Sequence, residues 1–118
     1  MTIAYVVVTL VTVAANAGIA VADLARARFV LANSAAVDVP PGWVPGLGLL
    51  KLAGAAGLAA GLAGWGALGT AAAIGLVLFF VGAVGAHLRA RALGTIGAPV
   101  AYLALAVASL VLVTGTAR

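Results

Sequence analysis

Apolar residues in this chain run on, without the polar faces that a soluble helix keeps toward water. From Thr2 to Ala22 the only polar break inside the run is Asn16. About 20 apolar residues cross a hydrocarbon core of about 30 Å, so the stretch reads as a membrane span. The sequence Met1-Thr2-Ile3-Ala4-Tyr5 lacks the basic opening of a signal peptide, and the run is too long for a cleaved one. The pattern then changes. Residues 23–42 carry Asp23, Arg26, Arg28, Asn33 and Asp38 and end in Pro40-Pro41-Gly42. The DLARARFVLAN segment mixes arginines with Phe29, Val30 and Leu31, which suits a short helix or helical extension at the interface. The proline pair stops it.

Apolar patterning resumes at once. Trp43 stands where an interfacial aromatic belongs, and Pro45 suits a first helical turn. Spans are predicted at about 2–22, 44–63, 67–87 and 98–114. Gly64-Trp65-Gly66 forms an uncharged turn between the second and third. His87-Leu88-Arg89-Ala90-Arg91 forms a charged loop after the third, and Pro99 opens the fourth. Gly54, Gly57 and Gly61 lie at small-residue spacing on the second span, and Gly75, Gly82 and Gly85 thin the third. Such residues let helix backbones approach, either within the bundle or across a dimer.

Composition excludes the soluble alternative. A soluble domain carries about a quarter charged residues, whereas this chain of 118 has six basic and two acidic side chains. The expected fold is all-α: a single membrane domain, an integral four-helix bundle with a short interfacial helix after the first span. Its first partner is the lipid bilayer. The chain has no cysteine and one histidine, which removes thiol redox chemistry and any multi-histidine metal site within one copy. No metal is expected. The few basic residues lie between apolar runs and mark topology rather than a nucleic-acid surface. Arg26, Arg28, Arg89 and Arg91 fall in the first and third connections. The positive-inside rule therefore puts residues 23–43 and 88–97 in the cytoplasm and both termini outside, with Arg118 and the terminal amine the only charges there.

Four polar positions share a level. Asn16 lies about six residues before the cytoplasmic end of span one, roughly 9 Å deep at ~1.5 Å per residue. Lys51 lies about as deep in span two. His87 ends span three, and Tyr102 enters span four, on the same side. Asp23 and Arg89 belong to that surface. The opposite half holds only Tyr5 and the hydroxyls of Thr70, Ser109 and Thr114. The placement predicts a polar pocket between the helices, open to the cytoplasm, with Asn16, Asp23, Lys51 and Arg89 as binding candidates and Lys51, His87 and Tyr102 as catalytic ones. Each has a plainer alternative. Lys51 can snorkel to headgroups, Asn16 can bridge helices, His87 can cap a helix end, and Tyr102 can join an aromatic belt. Asp23 or the Tyr102 phenol is the expected partner of Lys51. A lysine in low dielectric can exchange a proton, and histidine does so near neutral pH. Such a pocket suits a lipophilic ligand with a polar or anionic head: a quinone, phenol, epoxide or isoprenoid carbonyl. No phosphate loop, nucleophile motif or dinucleotide fingerprint is present.

The run VADLARARFVLANSAAVDVPPGWVPGLGLLKLAGAAGLAAGL, followed by VGAVGAHLRAR, resembles the DoxX-like family of small bacterial four-helix membrane proteins, in its actinobacterial form. The likeness rests on Val39-Pro40, Trp43, the Gly-Leu-Leu-Lys step at Gly48 to Lys51, and the exit at His87 to Arg91. It implies a membrane-embedded four-helix bundle. It also implies kinship with subunits of quinone-reducing oxidases and with assembly factors. The leading expectation is an accessory or redox-associated subunit holding a quinone-like or isoprenoid molecule, quinone being the one cofactor considered. Two others stand beside it: a membrane enzyme doing acid–base chemistry (isomerisation, epoxide opening or cyclisation), and a structural subunit of a homodimer or larger membrane complex. A transporter is disfavoured by four spans with no inverted repeat.

Overall fold

The computed structural model describes residues 2–116; Arg118 and the terminal amine, invoked for topology above, lie outside the described residues. The chain is helical nearly throughout. Helix α1 is Ile3–Leu24, α2 is Arg28–Ala36, α3 is Val44–Leu62, α4 is Gly66–Arg89 and α5 is Gly97–Thr116, with single 3₁₀ turns at Pro41–Trp43 and Leu93–Thr95. Four of the helices are long and apolar enough to cross a membrane. The 22 residues of α1 reach about 33 Å, which matches a hydrocarbon core. The segment after α1 forms a separate helix, because the chain breaks at residues 25–27 before α2 begins.

The breaks share one device. Helices α1, α2, α3 and α4 each end with a residue in the left-handed region: Arg26 (φ 54°), Asp38 (φ 60°), Gly64 (φ 110°) and Arg91 (φ 55°). After each, an N–H reaches back to the carbonyl five residues earlier: Ala27 to Ala22, Val39 to Ser34, Trp65 to Ala60 and Ala92 to His87. This Schellman closure satisfies carbonyls that a membrane would leave unpaired. Only Gly64 adopts the conformation without a Cβ penalty. At its other end α1 is capped by Thr2, whose hydroxyl accepts from the Tyr5 N–H at 3.1 Å.

The four long helices form a ring in the order α1, α3, α4, α5, with α1 and α5 closing it. Neighbours run antiparallel, and their spacing is set by small residues. A Cβ on Gly61 would lie 2.8 Å from the Gly69 Cα, and one on Gly57 would lie 2.5 Å from the Ala72 Cβ. The Gly57–Gly61 pair is thus spent on the α3–α4 contact inside one chain. Gly75, Gly82 and Gly85 meet nothing within 4 Å and narrow no helix contact here.

The interior joins apolar and polar side chains. Tyr5, Leu58, Ala73, Leu76, Phe80, Ala106 and Val113 make a buried cluster. The buried residues of α1 are Tyr5, Thr9, Thr12, Asn16, Ala20 and Asp23, three or four apart and so on one face. The outward residues of the same helix are Ile3, Val7, Leu10, Val11 and Val21. This inside-out distribution places large hydrocarbon side chains toward lipid and hydroxyls, amide and carboxylate toward protein.

Tyr5 and two threonines revise the expected polar map. Tyr5 is packed in the core, 4% exposed, rather than at an interface. Thr12 donates to the Val8 carbonyl at 2.7 Å and lies 3.0 Å from the Ser109 hydroxyl. Since the Thr12 proton is used on its own helix, Ser109 donates, tying α5 to α1. The polar face therefore continues well beyond the level of Asn16.

Candidate functional site

The site grows from a fit between α1 and α3. Asp23 lies in the last turn of α1 on its buried face. Across from it stands Gly48, where a Cβ would lie 2.7 Å from the Asp23 Cβ. The missing side chain makes room for Asp23, and Lys51, one turn further along the same face of α3, takes its carboxylate. The Lys51 Nζ donates to Asp23 Oδ2 at 2.8 Å, with side chains 13% and 3% exposed. The Gly-Leu-Leu-Lys step is one unit: a gap, then a counter-charge. Each alone would be costly in lipid. A lysine at the centre of a span costs about 2.5–3.5 kcal/mol on insertion scales.

Helix α4 supplies an aromatic wall. The Lys51 Nζ stands 5.4 Å from the centre of the Phe79 ring, in range of a cation–π contact. Phe79 meets Phe80 edge-on at 5.0 Å, and Phe80 meets Tyr102 of α5 at 5.3 Å. The Tyr102 hydroxyl donates to the Ala15 carbonyl of α1 at 3.1 Å. Tyr102 thus points inward and links α5 to α1, rather than belonging to a belt. Two turns beyond Phe80, the His87 Nδ1 is 2.8 Å from the Ala83 carbonyl. A carbonyl only accepts, so Nδ1 carries the proton. Among the described residues Nε2 has no hydrogen-bond partner.

These groups border a cavity of about 710 Å³, within the range of small-molecule sites. Asp23, Lys51, His87 and Tyr102 all line it. Helix α2 and the turn after it cover one side through Phe29, Val30, Asn33, Ser34, Val37 and Trp43. Ser34 steadies that cover by donating to the Val39 carbonyl at 2.8 Å. Its walls are mainly hydrocarbon and aromatic rings, with one ion pair, one imidazole and the neutral polar side chains of Asn33, Ser34, Thr95 and Tyr102 set into them.

Two expected members stand apart. Asn16 does not line the cavity. It is fully buried deeper in the bundle, where its Nδ2 donates to the Thr12 carbonyl at 2.9 Å and its Oδ1 has no partner among the described residues. Asn16 shares the buried face of α1 with Asp23 and lies two turns deeper along the helix. Arg89 lies past His87 on an exposed position and does not border the cavity. Sequence reasoning passed over Phe79, Phe80 and the whole α2 cover. Phe79-Phe80 is the one aromatic pair in span three, and that was an available signal. Among the described residues no group of three or more His, Cys, Asp or Glu side chains is placed to hold a metal ion.

A family model, that of the DoxX-like family, matches residues 7–109. No curated protein and no solved structure matches the chain.

Proposed function

The chain belongs to the DoxX-like family, and from that premise we propose that this multi-pass membrane protein binds one small lipophilic molecule, quinone-like or isoprenoid, as an accessory or redox-associated subunit. The observation that carries the proposal is the apolar cavity of about 710 Å³ with the Asp23–Lys51 pair in its wall. Lys51 spends one ammonium proton on Asp23, and the other two remain for an acceptor on the ligand. Phe79 and Phe80 offer rings for a flat head to pack against, and the polar side chains fix its orientation. The arginine-bearing connections next to this end support a cytoplasmic mouth under the positive-inside rule.

A second reading, acid–base catalysis on a lipophilic substrate, rests on the open Nε2 of His87, which can accept or deliver a proton. The other two candidates favour it less. Lys51 is engaged by Asp23, and the Tyr102 hydroxyl is engaged by Ala15.

Binding is tested with decylubiquinone titrated into the protein in neutral-lipid nanodiscs. Trp65→Phe leaves Trp43, which lines the cavity, as the only tryptophan. Saturable quenching of Trp43, competed by lipid-extracted molecules that co-purify in mild detergent, is the expected outcome. Quenching that only rises linearly with quinone in the membrane would refute a defined site.

A further inference from the structure

We infer that the cavity selects molecules whose head is uncharged and accepts hydrogen bonds, and discriminates against anionic amphiphiles of the same length. The inference rests on the binding reading above and narrows its ligand class. Lys51 alone would be an anion receptor: a cation held in hydrocarbon. Asp23 changes that. Its carboxylate is 2.8 Å from the ammonium and cancels the charge. Among the described residues, the charged ones lining the cavity are these two, with His87 and Tyr102 as the other titratable groups there; Arg26, Arg28, Arg89 and Arg91 do not line it. An arriving carboxylate or phosphate would share the ammonium with Asp23 and leave one negative charge uncompensated in a largely apolar chamber. Like charges placed together on a binding surface are strongly unfavourable. A ketone, quinone, ester or epoxide oxygen needs only the two spare protons of Lys51, and brings no charge to be desolvated.

The wall argues the same way. Phe79 already faces the ammonium at 5.4 Å, so a cation gains no vacant aromatic face at that spot. His87, with Nδ1 held by Ala83, can offer Nε2 as an acceptor to a hydroxyl on the ligand. The pattern of one strong donor, one imidazole acceptor, the neutral side chains of Asn33 and Thr95, and no net charge fits a neutral oxygenated lipid.

The test compares two probes with the same terminally brominated undecyl chain, one ending in a methyl ketone and the other in a carboxylate. Bromine quenches tryptophan at short range, so Trp43 in the Trp65→Phe protein reports occupancy. Measurements are made in neutral-lipid nanodiscs, at a pH alkaline enough to ionise the membrane-borne acid, and are corrected for partitioning of each probe. The wild-type site should prefer the ketone by about tenfold or more, the factor that 1.4 kcal/mol represents. Asp23→Asn should reverse the order, because it leaves Lys51 uncompensated. Equal or tighter binding of the carboxylate to the wild-type site overturns the inference while leaving the binding proposal standing. Failure of both probes, and of decylubiquinone, to quench Trp43 saturably overturns the binding proposal and this inference with it. The wild-type comparison decides the matter even if Asp23→Asn does not fold.

Discussion

Removing Lys51 while keeping Asp23 should be the most damaging conservative change available in the membrane region. In Lys51→Met the hydrocarbon stem survives and the ammonium does not. The carboxylate left behind is 3% exposed, on a stem too short to reach water. Stranding one member of a buried pair costs about 3–5 kcal/mol. Asp23→Asn should cost less, about 1–2 kcal/mol, because Lys51 is already 13% exposed and the asparagine carbonyl can still accept from it. The double variant should lie within about 1 kcal/mol of wild type, since a buried pair replaced as a unit is often neutral. The assay is reversible unfolding in mixed micelles by rising SDS fraction, followed by tryptophan fluorescence for wild type, both single variants and the double. A coupling of at least about 3 kcal/mol is expected, the two single costs less that of the double. If the single costs add in the double, or Lys51→Met costs under about 1 kcal/mol at neutral pH, Lys51 acts alone and the charge-cancelled site does not exist.

Two further outcomes follow from the packing and can be read in the same assay. Gly61→Ala should destabilise by about 1–3 kcal/mol, because the new methyl meets the Gly69 backbone at 2.8 Å and backbone cannot swing aside; Gly75→Ala, with nothing within 4 Å, should be neutral or raise stability by up to about 1 kcal/mol through helix propensity. Ser109→Ala should lose an interhelical hydrogen bond worth about 0.6 kcal/mol and at most about 1.7, and Thr12→Val should make the Ser109 change nearly silent; a full Ser109→Ala cost in the Thr12→Val background would show that the two hydroxyls do not interact.

Hydropathy alone determined the four long helices, because crossing a hydrocarbon core demands an unbroken apolar run and little else can satisfy it. It located the breaks for the same reason: charge and proline cluster where the chain leaves that run. The Asp23–Lys51 partnership was legible too, as two opposite charges at similar depth on adjoining spans, with one alternative partner. Tertiary structure decided what lies around each helix. An apolar span shows little amphipathic pattern, since lipid and protein interior are both hydrocarbon, so depth could be counted along the chain while azimuth could not. That is why Gly57 and Gly61 remained ambiguous until α4 was seen against them, whereas Asn16, on the same face as Asp23, differs from it in depth by two turns. The Thr12 hydroxyl bonds to its own helix, and a threonine in an apolar run reads as apolar, which concealed the polar face of α1. The cavity depends on where α2 folds back, and that depends on left-handed Arg26 and Asp38, a conformation that neither residue type announces.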